Sequence, residues 1–242
     1  MNTRPDFSLI LPCCNEESVF DASVQSIVSI LYNSRVSFEI VFVDDLSHDA
    51  TRQLIRKACQ KNSFCRYLFH PKNIGRGGAV ASGIRLSRGD IVGYMDIDCE
   101  VSPVYLPQMI SLVRSGKADI VVGKRIYRTS LISIIREVLS LGYKTIITVL
   151  FKTHGIDTES GYKVFYKKTF LPVLSAIRSN GWFWDTESIV LSQRKNVRIV
   201  EIPVLFMRRF DKKSSVRLVG DSWEYIKNVW ELYWRLRTRE TP

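Results

Sequence analysis

The sequence predicts an α/β protein whose mostly parallel β-sheet is flanked by helices. Short apolar segments rich in β-branched residues alternate with helical patterns throughout the first half of the chain. Each apolar segment ends in a group of polar or acidic residues. The 242 residues, 45% of them hydrophobic, are enough to bury the core of one large domain.

The predicted elements follow from these patterns in chain order. Apolar runs predict the strands, three- and four-residue apolar spacing predicts the first helix, and Asp49 before Ala-Thr marks a helix start. A small-residue helix follows the glycine run at residues 75–78. The predicted strands are Phe7–Leu11, Phe38–Val43, Arg66–Phe69, Ile91–Met95 and Ile120–Val122, and the first two helices span Val19–Leu31 and Thr51–Gln60.

Four polar clusters follow the predicted strands directly. In open parallel sheets, ligands bind outside the carboxyl ends of the strands, so these clusters should meet at one edge. They are Pro12, Asn15 and Glu16; Asp44 and Asp45; Asn73, Gly75 and Arg76; and Asp96 and Asp98. Their convergence predicts a binding site.

The stretch SRGDIVGYMDIDCE contains the acidic pair Asp96 and Asp98 at the end of a predicted buried strand. In extended chain, residues two apart point to one face, so both carboxylates can grip one cation. Glu100 adds a third ligand if the chain stays extended past Cys99. An all-oxygen site of this kind suits Mg²⁺ or Mn²⁺ and leaves positions for a diphosphate. The alternative is a solvated turn at a strand end.

The other clusters also have structural alternatives. Asp44 and Asp49 are both suited to capping the helix that follows. The glycines near Arg76 can form only a turn, or they can open the backbone to a phosphate that Arg76 binds. The pattern lacks the Lys and Ser/Thr of a phosphate-binding P-loop, which disfavours an ATPase.

The formal charge of +11 indicates an anionic partner: nucleic acid, a phosphorylated substrate or a membrane surface. From Arg194 to Pro242, 12 Lys/Arg against 6 Asp/Glu give 12 − 6 = +6 of that total. A nucleic-acid-binding protein leaves the acidic clusters unexplained. Five cysteines without CxxC spacing indicate reduced thiols. We also expect no transmembrane helix and no signal peptide, and therefore a cytoplasmic protein.

Taken together, PCCNEE, VDDLSHDAT, NIGRGGAVASG, GDIVGYMDIDCE and VVGKR resemble the GT-A glycosyltransferases of family 2, whose sheet is Rossmann-like. The later segments DTESGYKVFYKK, WFWDTESIVL and IVEIPVLFMRR resemble the dolichyl-phosphate mannose and glucose synthases. The GRGGA form looks more like the glucose branch. The resemblance covers roughly residues 7–217, which predicts a glycosyltransferase domain at 1–217 followed by a basic, aromatic helix at 218–242.

This resemblance implies a role for each matching residue. The nucleotide-sugar donor would be held by Pro12, Asn15, Glu16, Asp44, Asn73, Gly75, Arg76 and Asp96, and the metal by Asp96, Asp98 and Glu100. The catalytic set would be Asp98, Asp157, Arg125, Arg136 and Ser140, the last two near the acceptor phosphate. Sugar or acceptor contacts would come from Ser160, Gly161, Asp185, Arg209, Ser214 and Arg217.

Some positions depart from the family pattern. Cys14 replaces the usual Tyr, Leu46 replaces the Gly after the acidic pair, and Ile97 replaces a small residue. The carboxyl-terminal R-x-x-G-x-S-K element survives only as RFDKKSS, without its Gly and final Lys.

The resemblance implies inverting, metal-dependent transfer of glucose or mannose from a UDP- or GDP-sugar to a polyprenyl or dolichyl phosphate. A phosphate acceptor is already anionic, so it needs no strong base, and Asp157 would orient the sugar or acceptor. The alternative is a hydroxyl acceptor on a soluble molecule or glycan, for which Asp157 or Glu159 would be the base. A non-catalytic relative is disfavoured by the intact Asp96 and Asp98.

The second half of the chain suggests peripheral membrane association. Residues 131–151 are mostly apolar, interrupted by Arg136 and Lys144, and predict one or two amphipathic helices at the bilayer surface or packed into the protein. Residues 222–239 mix aromatic with basic side chains, which suits either the headgroup layer or a core-packed helix. A partner subunit or self-association would also hold the protein at the bilayer.

Overall fold

The computed structural model describes residues 4–127, 142, 145–153, 155–208 and 218–238, with side chains in the last range described from residue 224. Within these residues the chain forms seven strands, seven labelled helices and one further helical segment. The strands are β1 (Phe7–Cys13), β2 (Phe38–Asp44), β3 (Cys65–Phe69), β4 (Ile91–Tyr94), β5 (Ile120–Tyr127), β6 (Lys163–Tyr166) and β7 (Ile199–Phe206). The helices are α1 (Phe20–Asn33), α2 (Thr51–Lys61), α3 (Arg76–Leu86), α4 (Leu106–Arg114), α5 (Lys167–Leu174), α6 (Trp184–Arg194) and α7 (Leu218–Arg237). Residues 145–151 are also helical.

All strands belong to one sheet in the order β3-β2-β1-β4-β6-β5-β7. Strands β3, β2, β1 and β4 are parallel, and β5 is parallel to β7. Strand β6 lies between β4 and β5 and is antiparallel to both. The predicted α/β fold with a mostly parallel sheet is therefore confirmed, with one reversed strand that the sequence patterns did not predict.

The five predicted strands lie where expected, but four of them are longer, β1 and β5 by more than one residue, and β4 is one residue shorter. Strand β1 continues through Pro12, which is opposite Val43, and β5 continues to Tyr127. The extension of β5 places Arg125 inside a strand, opposite Val204 of β7.

Two apolar layers cover the faces of the sheet. Strand residues alternate between them: Leu9 and Leu11 belong to one layer and Ile10 to the other. Helices α1, α2 and α4 bury their apolar faces in the first layer, and α3, α5, α6 and α7 in the second. This sandwich leaves the carboxyl edge of the parallel strands to be covered by loops, which is where the polar clusters lie.

The carboxyl-terminal helix α7 is packed on the second layer by one face. Val229, Leu232 and Leu236 are buried there, and the Tyr225 hydroxyl lies 2.7 Å from Oγ1 of Thr186. The core-packed alternative is thus correct for this face. The described part of the 131–151 stretch behaves similarly, with Ile147 buried. None of the described helices has the length and hydrophobicity needed to span a bilayer.

Candidate functional site

The loops after β1, β2 and β3 are joined by hydrogen bonds at the carboxyl edge. Asn15 donates its N–H to Ser47 Oγ at 2.9 Å and accepts from the His48 N–H at 2.8 Å. Asn73 donates to the Asp45 carbonyl oxygen at 2.9 Å. The loops that follow these three strands therefore contact one another, as the strand-end argument expected.

The acidic pair after β2 holds this loop assembly together. The Asp44 side chain is fully buried, accepting from Arg52 Nε at 2.6 Å and from the Ser47 N–H at 3.1 Å. Asp45 accepts from the N–H groups of Ile74 and Gly75 at 2.9 and 2.8 Å. In this structure both carboxylates stabilise loops, and the assignment of Asp44 to the donor remains a prediction.

Asp49 and Leu46 explain how the second loop turns into α2. Asp49 Oδ1 accepts from the Thr51 N–H at 3.0 Å and Oδ2 from the Glu17 N–H at 3.1 Å, so Asp49 caps the helix and ties it to the first loop. Leu46 has a φ of 66°, the left-handed conformation that glycine adopts most easily. The Gly-to-Leu departure therefore changes the side chain and not the course of the backbone.

The glycine run before α3 is required by packing against protein. A Cβ on Gly75 would lie 2.6 Å from the Asn180 carbonyl oxygen, and one on Gly77 would lie 2.2 Å from Cβ of Trp184. The Gly78 N–H also donates to Asn180 O at 2.9 Å. Residues 180–184 therefore occupy the space beside these glycines, and the expectation that the glycines open the backbone to phosphate remains a prediction. Arg76 alone in this run contacts the acidic pair.

The D-x-D segment forms a turn instead of continuing the strand. Strand β4 ends at Tyr94, the Cys99 N–H donates to Asp96 O at 3.3 Å, and Cys99 has a φ of 55°. The condition for a third ligand, extended chain past Cys99, is not met. Among the described residues no three His, Cys, Asp or Glu side chains form a cluster able to hold a metal, so Glu100 does not complete one with Asp96 and Asp98.

Arg76 connects this turn to the protein interior. Its Nε donates to Asp96 Oδ1 and its Nη1 to Asp185 Oδ2, both at 2.6 Å, and its Nη2 lies 3.5 Å from Gly161 O. Its guanidinium lies 5.4 Å from the ring centroid of Trp182. Asp96 keeps 44% of its side-chain surface exposed, whereas Arg76 keeps 10%. Arg76 thus holds the partly exposed Asp96 carboxylate from the buried side of the site.

Lys163 is a site-lining residue that the sequence analysis missed. It is the first residue of β6, is fully buried, and donates to Asp185 Oδ1 at 2.7 Å and to the Ser160 carbonyl oxygen. Tyr94, opposite Lys163 in the sheet, donates its hydroxyl to the same Asp185 oxygen at 2.5 Å. A lysine within the apolar run YKVFY was the available signal.

The GxR arginine and the D-x-x-S-G aspartate form one ion pair. Arg125 Nε donates to Asp157 Oδ2 at 3.0 Å and Nη2 to Oδ1 at 2.9 Å, with the Arg125 N–H adding a contact at 3.1 Å. The Asp157 N–H donates to Glu201 at 2.8 Å. In this bidentate geometry both Asp157 oxygens accept hydrogen bonds from Arg125. Asp157 is therefore poorly placed to act as a base.

The remaining acidic residues have distinct electrostatic environments. Burial alone would raise the pKa of Asp185, but Lys163 and Arg76 outweigh it and hold that pKa below its ordinary value. Burial raises the pKa of Glu159, and Arg125, 3.5 Å away, only partly offsets this. Of these two carboxylates, Glu159 is the more basic.

The structure also locates Ser160 and Gly161 at the site. A Cβ on Gly161 would lie 2.3 Å from Arg76 Nη2 and 2.7 Å from Asp96 Oδ2, so the Arg76–Asp96 pair requires glycine here. Predictions for Arg136, Ser140, Arg209, Ser214 and Arg217 fall outside the described residues.

Comparisons with known proteins identify the family of this chain. Residues 8–172 match the model of glycosyl transferase family 2. The chain is 27% identical over 238 residues to Glycosyltransferase AglD of Haloferax volcanii, and 28% identical over 227 residues to a dolichyl-phosphate beta-glucosyltransferase of Trichomonas vaginalis. These matches cover 97% and 86% of this chain but only 38% and 66% of the two relatives.

The fold is similar to that of a solved GT-A glycosyltransferase. Glucosyl-3-phosphoglycerate synthase from Mycobacterium tuberculosis in complex with UDP superposes with a TM-score of 0.72 at 18% identity, covering 95% of this chain and 80% of that one. The same enzyme with Mn²⁺, UDP and glucosyl-3-phosphoglycerate gives a TM-score of 0.69 at 19% identity, covering 92% and 77%. The predicted GT-A fold is confirmed, and since the family model covers more than half of the sequence, the chain belongs to glycosyl transferase family 2.

Proposed function

We propose that this chain transfers a hexose from a nucleoside-diphosphate sugar to a polyprenyl or dolichyl phosphate at a membrane surface, with a divalent cation at Asp96 and Asp98. UDP-glucose is the donor to test first. The names of the relatives support this choice, since they include dolichyl-phosphate beta-glucosyltransferases and a synthase crystallised with UDP. GDP-mannose is the second donor to test.

One observation carries the choice of acceptor: the buried carboxylates Asp157 and Asp185 are both held in ion pairs. Arg125 engages both oxygens of Asp157, and Arg76 and Lys163 neutralise Asp185. A general base must accept a proton at the operating pH, and carboxylates paired with guanidinium or ammonium groups are poor acceptors. An acceptor that is already anionic avoids this requirement. A lipid phosphate therefore fits these two carboxylates better than a hydroxyl.

The acidic turn after β4 fits a divalent cation. Mg²⁺ and Mn²⁺ are commonly held by one or two carboxylates together with substrate phosphates, so a third protein ligand is not needed. Asp98 and Asp96, whose side chain is 44% exposed, would supply the carboxylates. When bound, the cation would neutralise charge developing on the leaving diphosphate. The protein's own part is to fix Asp96 through Arg76 before the donor arrives.

The outer face of α7 supports a membrane-surface location. Ile226, Trp230 and Trp234 are spaced four residues apart and are each more than half exposed. Lys227 lies beside them, and Arg237 stacks on Tyr233 at 4.8 Å. Tryptophan with basic residues suits an anionic bilayer interface. The buried inner face of the same helix fixes this surface relative to the site.

Glu159 supports the second candidate, transfer to a hydroxyl of a soluble molecule or glycan. Its raised pKa and its exposed fraction of 34% suit a general base. The structural neighbour crystallised with phosphoglyceric acid provides a soluble acceptor class to test.

A radiolabelled-sugar assay separates the two candidates. Purified protein with UDP-glucose or GDP-mannose, Mg²⁺ or Mn²⁺, and polyprenyl phosphate should yield label in the organic phase. Glu159→Gln should retain most of this transfer, whereas Asp98→Ala should lose it while its circular dichroism spectrum is unchanged. Chelation should abolish the wild-type signal and added Mn²⁺ restore it. Aqueous product that is insensitive to polyprenyl phosphate and lost in Glu159→Gln would establish the hydroxyl candidate instead.

A further inference from the structure

Four charged side chains from four separate elements form a continuous chain beneath the D-x-D turn. Asp96 contacts Arg76 at the start of α3, Arg76 contacts Asp185 in the first turn of α6, and Asp185 contacts Lys163 at the start of β6. The three distances are 2.6, 2.6 and 2.7 Å. Two cations and two anions alternate along this chain.

The inner members of the chain are deeply buried. The exposed fractions of the Arg76, Asp185 and Lys163 side chains are 10%, 2% and 1%. Each buried ion costs several kcal/mol of desolvation, and a buried ion pair often stabilises a fold no better than apolar residues of the same volume. This desolvation cost is best explained if the buried charges position Asp96, which is the exposed end of the row of ion pairs.

Strand β6 brings Lys163 to this place. Because β6 is antiparallel to β4, its first residue is opposite Tyr94, the last residue of β4. Both side chains donate to Oδ1 of Asp185, while Arg76 donates to Oδ2. Three donors therefore fix the orientation of one carboxylate.

Lys163 also holds the D-x-x-S-G loop. Its ammonium donates to the Ser160 carbonyl oxygen and lies 3.5 Å from that of Thr158. The loop continues to Gly161, whose Cα leaves no room for a Cβ beside Arg76 and Asp96. One lysine thus sets the position of both the loop and Asp185.

We propose that Lys163 and Asp185 are positioning residues for the donor diphosphate, acting through Arg76 on the Asp96 carboxylate. The proposal deepens the proposed function and rests only on its donor half, since it makes no use of the acceptor. It predicts that loss of either residue weakens nucleotide binding although neither is at the mouth of the site.

Calorimetric titration with UDP and with GDP, each with Mn²⁺, tests the proposal without turnover. Lys163→Met and Asp185→Asn should each raise the Kd of the preferred nucleotide at least tenfold. Lys163→Arg, which keeps the charge, should recover part of the affinity. In steady-state assays the donor KM should rise and the acceptor KM stay constant, a split that a merely structural defect does not produce.

The double variant Lys163→Met/Asp185→Asn gives the sharpest readout. If both residues act through Arg76, its affinity loss should be close to that of one single variant and far from the product of the two. The double variant also removes one charge of each sign, so it serves as the test if a single variant fails to fold.

Glu187→Gln is the matched control. Glu187 is two residues from Asp185 on α6, is equally buried and pairs with Arg235 of α7. The Glu187→Gln variant should have a lower melting temperature than the wild type and an unchanged nucleotide affinity. Wild-type affinity in the Lys163 and Asp185 variants, or losses that multiply in the double variant, would overturn the positioning role. Absence of UDP and GDP binding in the wild type would instead overturn the proposed donor.

Discussion

Arg125 holds Asp157 by both carboxylate oxygens, at 3.0 and 2.9 Å, across the opening between β5 and the loop before β6. The Asp157 side chain is 7% exposed and that of Arg125 18%. The GxR and D-x-x-S-G motifs are therefore one structural unit, and the arginine is not free to move to a substrate without releasing a buried carboxylate.

Arg125→Met should leave Asp157 buried without its counter-charge. We expect this to lower the free energy of unfolding by about 3–5 kcal/mol and to abolish transfer. Urea denaturation measures the first effect. The control is Arg198→Met, which breaks an ion pair of the same geometry with Asp119 in which Arg198 is 60% exposed. Exposed pairs contribute little to stability, so we expect a much smaller loss in this variant. Equal losses in the two variants would show that burial of the Arg125 pair is unimportant.

Gly161→Ala should separate Arg76 from Asp96. The added methyl group would lie 2.3 Å from Arg76 Nη2 and 2.7 Å from Asp96 Oδ2, closer than any normal contact. We expect the donor KM to rise about tenfold or more, corresponding to about 1.4 kcal/mol of lost binding. Gly142→Ala is the control, because a Cβ there meets no atom of the described residues within 4 Å. An unchanged donor KM in Gly161→Ala would mean that the pair tolerates displacement.

The environment of Glu39, at the amino end of β2, predicts how the stability of the fold depends on pH. Burial would raise its pKa, but hydrogen bonds from Ser8 at 2.7 Å and from the Arg88 N–H at 2.6 Å outweigh this and lower it below its ordinary 4.5. A carboxylate with a lowered folded-state pKa stabilises the fold above its unfolded pKa, and this contribution is lost as the pH falls through the folded value.

Glu39→Gln should therefore be less stable than the wild type at pH 7, by about 1–3 kcal/mol. The difference should shrink as the pH falls below 4.5. Urea unfolding at pH 7, 5 and 3.5 measures it. A difference that is constant over this range would contradict the assigned pKa shift. Asp21→Asn, on the exposed surface of α1, is a suitable control for general charge effects.

Trp230 and Trp234, the exposed tryptophans in the part of α7 whose side chains are described, should govern binding to lipid. Trp230→Ala/Trp234→Ala should reduce co-sedimentation with anionic phosphatidylglycerol vesicles at least tenfold, with little change in unfolding, since both rings are more than half exposed. Leu232→Ala, on the buried face of the same helix, should instead cost about 2–5 kcal/mol of stability. Vesicle binding that survives loss of both rings would locate the membrane contact elsewhere.

The position of the site was predictable because it depends on local signals. Asp96 and Arg76 each follow an apolar strand segment, and parallel strands bring such ends together whatever the details of packing. The same reasoning did not hold for Glu100 as a third metal ligand. The chain turns at Cys99, where a residue other than glycine adopts a positive φ. A pattern of residue types does not reveal such a turn.

Pairings across the sheet were not predictable in the same way. Lys163 and Asp185 meet only because β6 runs opposite to its neighbours, and a run of four residues carries no signal of its direction. The glycines at 75–78 were visible as glycines, but the Trp184 and Asn180 atoms against which they pack are far along the chain. Helix α7 has one buried and one exposed apolar face, so the core-packed interpretation is correct for the first, while the membrane interpretation of the second remains a prediction.

The reversed strand also has a bearing on how such enzymes diversify. Strand β5 ends at Tyr127 and its antiparallel neighbour β6 begins at Lys163, so the two ends of the connecting segment lie on adjacent strands. A connection anchored in this manner can be exchanged for one of another length without altering strand order. A graft that ends before Asp157 would keep the Arg125–Asp157 pair and Gly161, and is thus a direct route to testing new acceptors with the donor site retained.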